Sequence, residues 1–248
     1  MLSFTLTQWS MWSPASGTLG SDQIQDSDKV VDIVADLVDR ATKPNVKDLP
    51  MMLRRRLSRF GRMAMRVALD SGATDEVRLV FSSRYGDAVQ TAGLLTDLSH
   101  QEPVSPAVFS MLVHNALAGL FCIHNKNRHP HTAIAAGDES FCAGLLESAV
   151  LLAEEPQIPV LLIYCDEPLP EIYDGYAESD TPSVALALLL TAKPGDNGHQ
   201  FGFTANDQKA AVGQSDPAIS FVDFLRGQAD GWSWSSNSKT WWCRRDVK

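Results

Sequence analysis

Three nearly continuous apolar runs, residues 77–82 (VRLVFS), 159–165 and 183–192, limit what this chain can fold into. A strand that is apolar along its whole length, rather than at alternate positions, has to be buried on both faces. The sheet it joins therefore needs a layer on each side. Helical patterns lie between the runs. Residues 51–70 give the clearest one, with Leu53, Leu57, Phe60, Ala64 and Val67 on one stripe and Ser71-Gly72-Ala73 as its stop. Further helices are expected over 28–40, from the loop 83–87 through 98, over 107–123, over 138–153 and, more weakly, over 218–227. Residues 4–9 and 132–136 supply shorter strands. Strands alternating with helices in this order predict an α/β protein with a mixed sheet and packed helices.

The bulk properties narrow the function. With 248 residues, 44% of them hydrophobic and 21% charged, the chain reads as a single domain over 1–248 with a core large enough to fold unaided. Its last stretch, 228–248, is an aromatic tail carrying Trp232, Trp234, Trp241 and Trp242, expected to pack on the sheet or meet another subunit. A net charge of −9 argues against a nucleic-acid binder that works by neutralising phosphates. Cys122, Cys142, Cys165 and Cys243 have no CxxC spacing, and three of them sit in apolar segments, as reduced buried thiols do. The start lacks a basic leader, and no run approaches the roughly 20 apolar residues of a membrane span. A cytoplasmic protein is expected. His124 to His131 (HNKNRHPH) is a polar turn without helical HExxH spacing, and no GxGxxG or Walker sequence occurs, so neither a metal nor another cofactor is expected.

A second stripe on the 51–70 helix consists of Arg55, Arg59, Arg62 and Arg66. It is either a solvated face paired with local acids or a docking strip for an acidic partner.

Residues 105–119 (SPAVFSMLVHNALAG) resemble the SP…N…AG signature of the β-ketoacyl synthases, members of the thiolase superfamily. In the same register Arg128-His129-Pro130 and residues 132–136 resemble the family's turn and strand. Gly137-Asp138-Glu139-Ser140-Phe141 then falls on its nucleophile loop, with Asp138 in the place of the reactive cysteine. RRRLSRFGRMAMRVAL (54–69) and VFSSRYGDAVQT (80–91) resemble two further family segments, so the likeness covers about 51–152. It implies the first βαβαβαββ half of a thiolase-like layered fold, lacking the second half that supplies the family's two catalytic histidines. It also implies a silent subunit like a chain-length factor, paired with an active ketosynthase. Such a subunit would meet acyl carrier protein mainly through that partner. Truncated forms of this kind resemble subunits found with aryl-polyene synthases. Val108, Met111, Leu112, Asn115 and Ala116 match the family positions that line the partner interface and the end of the acyl tunnel, while Arg55, Arg59, Arg62 and Arg66 are the candidates for docking a carrier protein or partner.

The chemistry at position 138 agrees with a silent site. A cysteine at the start of a buried helix is activated because the helix dipole and free N–H groups favour its thiolate. An aspartate there is a helix cap that holds no thioester-linked chain. Cys142, one turn further on, is the candidate nucleophile of the alternative reading, a small acyltransferase or thioesterase-like enzyme.

Overall fold

The computed structural model describes residues 2–14, 17–20, 43–176, 182–192, 198–205, 215–227, 229–236 and 239–245, so the helix expected over 28–40 lies outside the described residues. Among the described residues nine strands make one mixed sheet: β1 (Leu2–Ser13), β2 (Gly17–Gly20), β3 (Arg78–Ser82), β4 (His131–Ile134), β5 (Val160–Asp166), β6 (Val184–Thr191), β7 (Gly198–Ala205), β8 (Gly231–Ser235) and β9 (Lys239–Arg245). Their order is β4-β3-β5-β6-β1-β7-β9-β8, with β2 folded back on the end of β1. β3 runs parallel to β4 and β5, and the remaining pairs are antiparallel.

The helices are α1 (Met51–Arg54), α2 (Arg59–Asp70), α3 (Ala88–Ser99), α4 (Pro106–Phe109), α5 (Ala116–Asn125), α6 (Ser140–Glu154) and α7 (Pro217–Arg226). Reading along the chain, β1, α1–α2, β3, α3–α5, β4, α6, β5 and β6 follow the expected βαβαβαββ order. No second sheet forms among the described residues.

The central strands are buried on both faces, as their composition requires. On β5, Leu161, Ile163 and Cys165 join the cluster under α2 and α5, whereas Val160, Leu162 and Tyr164 join the one under α6 and α7. β6 divides in the same way, with Ala185 and Ala187 under α2 and the larger Val184, Leu186, Leu188 and Leu190 facing α6. Each fully buried large apolar side chain here contributes roughly 1.5–3 kcal/mol. α6 approaches the sheet so closely that a Cβ on Gly144 would stand 2.9 Å from both Leu162 Cδ1 and Ser82 Cβ. Only glycine fits there without displacing the helix.

Two expected helices are broken. The 51–70 helix divides because α1 buries no side chain and Ser58 starts a new helix by accepting a hydrogen bond from Gly61 N–H at 3.0 Å. The 107–123 helix divides between 110 and 115, where His114 turns inward. Its Nε2 lies 2.9 Å from the Ile134 carbonyl and its ring packs edge-on against Phe81. A tertiary contact thus outweighs local helical preference.

The C-terminal half extends the sheet beyond what periodicity indicated. β7, β9 and β8 add three strands, and the tryptophan tail is a hairpin whose Trp232, Trp234 and Trp241 are buried against α7 and the core. The indole N–H of Trp232 donates to Ser220 Oγ at 3.0 Å and that of Trp234 to the Ser215 carbonyl at 3.1 Å. No helix among the described residues is long and apolar enough to cross a membrane.

Candidate functional site

Asp138 occupies a single 3-10 turn, Gly137–Glu139, between β4 and α6, at the end of the sheet where the parallel strands finish. Gly137 has φ 61°, a left-handed conformation that glycine adopts without strain. The turn is tied down by Ser140, whose hydroxyl donates to the Gly137 carbonyl at 2.7 Å and accepts from Ala136 N–H at 3.0 Å. Ser82 Oγ on β3 in turn donates to the Ser140 carbonyl at 2.6 Å.

Asp138 itself is half-buried and does not cap the helix. α6 starts at Ser140 with no side-chain cap, because the 3-10 turn places Asp138 too early for its carboxylate to receive the free N–H groups. Asp138 therefore does not supply the expected cap.

Cys142 is fully buried in the first turn of α6. Burial, reinforced by the carboxylates of Glu139, Asp216 and Asp138, pushes its thiol well above the usual range. A nucleophilic thiolate needs the opposite setting, an exposed and electropositive one, so the geometry counts against the enzyme alternative at Cys142.

A second polar centre, not anticipated from the sequence, lies at the end of β5. Asp166 is almost fully buried and gathers the loop after β3: it accepts from Ser83 Oγ at 3.0 Å, from Arg84 N–H at 2.9 and 3.0 Å, and from Tyr85 N–H at 3.4 Å. Burial pushes its carboxyl up to about 6 despite those bonds. Ser83 Oγ also accepts from Gly86 N–H at 2.7 Å, so this one carboxylate sets the path of the chain into α3. The only sequence signal was an acid closing an otherwise apolar strand.

The segment that resembles the interface helix is open on its outer side. Val89, Leu95, Leu98, Val108, Phe109, Val113 and Ile123 are all exposed apolar side chains between α3 and α5. α3 buries only Ala92 and Leu94, and α4 buries nothing. The five tunnel candidates divide among different surroundings. Met111 and Leu112 line a pocket of about 20 Å³ with Phe81, Gly86 and His114, whereas Val108 lines a cleft of about 260 Å³ between α3 and α4. Ala116 is half-buried at the start of α5, and Asn115 is exposed.

Most of the arginine stripe turns inward. Arg59 pairs with Glu167, hydrogen-bonds Ser183 Oγ at 3.1 Å and lies over the Trp12 ring. Arg62 donates to the Arg54 carbonyl at 3.2 Å, and Arg66 bridges Asp70 and Asp48. Arg55, in the break between α1 and α2, is exposed. The break before α2 separates Arg55 from the other three, which remain on α2. His129 pairs with exposed Glu76, and no group of three His, Cys, Asp or Glu residues among the described residues is placed to hold a metal.

Comparison with known proteins agrees with this geometry. Residues 31–243 match the family described as "Beta-ketoacyl synthase, N-terminal domain". No curated protein matches the chain in sequence. Among solved structures, the chain is similar to one in the complex of the ketosynthase ApeO with its chain length factor ApeC from Xenorhabdus doucetiae. That match has 25% identity and a TM-score of 0.77, covering 99% of this chain and 100% of the other. The fold also matches the ishigamide ketosynthase/chain length factor, with 16% identity and a TM-score of 0.55 over 79% of this chain and 64% of that one. A beta-ketoacyl synthase from Burkholderia phymatum STM815 gives 16% identity and a TM-score of 0.59, over 93% of this chain and 71% of that one. The strand order, the loop at position 138 and the match over 31–243 lead to one conclusion: this chain belongs to the beta-ketoacyl synthase N-terminal domain family.

Proposed function

We propose that the protein is a non-catalytic subunit like a chain-length factor. It pairs with an active β-ketoacyl synthase through the α3–α5 face and helps shape that partner's acyl or polyene tunnel in fatty-acid or polyketide-type biosynthesis, of the aryl-polyene kind. The observation that carries this reading is the turn at 137–139 before α6, whose sequence resembles the family's nucleophile loop but bears a carboxylate, with Cys142 sealed in the core. The likeness to a chain from a complex of a ketosynthase with its chain length factor supports it.

In this reading Met111 and Leu112 act through the small pocket beside the start of α2 and Val108 through the cleft beside α3, so the two sets have separable effects on product length. Bulk at such positions changes the room for a chain by about 1–3 kcal/mol per methylene. Asn115 and Ala116 belong to the partner contact. Contact with acidic carrier protein falls to exposed Arg55, because Arg59, Arg62 and Arg66 are engaged inside the chain. The partner carries most of that docking, and the complex works in the cytoplasm without a cofactor.

Co-expression with a separately encoded ketosynthase tests the proposal. The two chains are expected to co-purify, and Asp138→Cys is expected to yield no condensation by the single chain, since a thiol restores one missing element and not the histidines. Condensation by the purified single chain, with either residue at 138, would overturn it.

A further inference from the structure

We propose that α7 and the β8–β9 hairpin form a strap that shuts the passage from position 138 to Cys142, so that an acyl chain gains no entry through this subunit's own 137–142 segment. The inference relies on the proposed function for the nature of the chain; the closure itself stands on the contacts.

Two different anchors converge on the 137–142 segment. The first is polar. Glu139, next to Asp138, is largely buried beneath the hairpin, where its carboxylate accepts from Ser236 Oγ and from Lys239 Nζ at 2.8 Å. Lys239 is fixed from a second side by the Trp241 ring, 5.5 Å from its ammonium nitrogen, and Ser236 is itself buried and bonded to the Lys239 backbone. The second anchor is aromatic. Phe141, one residue beyond Ser140, packs against Phe221 of α7 at 5.3 Å and edge-on to Trp232 of β8 at 6.3 Å, and those two rings meet each other at 5.2 Å.

Cys142 lies under both anchors with no exposed surface. The strap joins strands more than ninety residues later in sequence to the loop where the family holds its nucleophile, as the Glu139–Ser236 separation of 97 residues records. An ionic clamp at Glu139 and an aromatic clamp at Phe141 thus close the way from the half-buried turn to Cys142. Cutting the polar anchor should open the segment locally, because the aromatic contacts alone then hold it, and the protection of Cys142 reports that opening.

The test is iodoacetamide alkylation of the full chain, followed by peptide mass spectrometry, comparing Ser236→Ala/Lys239→Met with the unaltered protein. Cys142 should label about tenfold faster in the variant, while Cys165, buried in the cluster on the opposite face of the sheet, keeps its rate. Unchanged labelling of Cys142 would overturn the strap, and so would a parallel rise at Cys142 and Cys165, which would mean general loosening. Should the double variant not fold, Glu139→Gln removes the charge but keeps an acceptor for Ser236. Its ratio of Cys142 to Cys165 labelling must then exceed that of the unaltered chain, and an equal ratio overturns the proposal. None of these outcomes depends on ketosynthase binding, so failure here is distinct from failure of the pairing.

Discussion

Phe109→Asp combined with Val113→Asp is expected to abolish co-purification with a ketosynthase while leaving the chain folded. Both side chains are largely exposed, 60% for Phe109 and 54% for Val113, so neither substitution removes core packing. They belong to the exposed apolar side chains between Val89 and Ile123 in the chain, the segment that the proposal puts against the partner. At the centre of an interface each introduced carboxylate has to be desolvated without a partner charge, and the apolar contact is lost as well. Hot-spot truncations of this type cost about 2 kcal/mol or more, equivalent to roughly 30-fold in affinity at each position. Together they bring a stable complex below detection in a pull-down. Ile172→Asp is the control, since Ile172 is equally exposed but lies outside the face, and it should leave binding unchanged. Retention of the double variant within about threefold of the unaltered chain would remove the α3–α5 face from the proposal.

The second large effect concerns Asp166. Asp166→Ala leaves the Ser83 hydroxyl and the Arg84 and Tyr85 N–H groups without their buried acceptor. Orphaned buried donors of this kind cost about 1–3 kcal/mol each, so a total of about 3 kcal/mol is a modest expectation. For a domain of this size that lowers the thermal midpoint by roughly 6–12 °C. The loop 83–87 and the start of α3 should loosen first, which hydrogen exchange would locate.

The pH dependence has a definite sign. Asp166 is pushed from the ordinary 3.8 up to about 6, so between those values the folded protein binds more protons than the unfolded one. The stability tied to this group is therefore complete below about 4 and is lost as pH rises through about 6. Asp87, Glu167 and Asp216 are also raised by burial and act in the same direction. The midpoint of the unaltered chain should rise as the pH falls from 7.5 to about 5, in contrast to a protein held by surface ion pairs. Asp166→Asn keeps one acceptor for the loop and removes the titration, so its slope over that range should be visibly flatter. An unchanged slope would mean that another group controls it.

Much of the framework was readable from the chain alone. A strand such as β5, apolar up to its closing acid, can only be interior, and that requirement already gave the layers of the sheet. The resemblance around 105–141 puts Asp138 on a turn between a strand and a helix, and that is where the structure has it, because local motifs keep their spacing. What periodicity could not supply was any outcome decided by contacts between distant residues. The 51–70 and 107–123 helices were each read as one, yet Ser58 caps the first into two pieces and His114, drawn to Ile134 and Phe81, breaks the second. Helical spacing put four arginines on one stripe, but the acids and carbonyl groups that engage three of them are set by the fold.

Asp166 and Glu139 show the same division most clearly. Each is an acid at the edge of an apolar segment, and nothing in the neighbouring residues distinguishes a solvated carboxylate from one that organises a loop. Asp166 gathers its donors from a loop about eighty residues earlier, and Glu139 meets a hairpin about a hundred residues later. The sequence by itself determined which segments must be buried and which family the chain resembles, since burial, helix periodicity and motif spacing are local properties of the chain. Only the tertiary structure decided which polar groups face one another across the sheet, because a hydrogen bond depends on position to within a fraction of an ångström and the chain carries no local record of that.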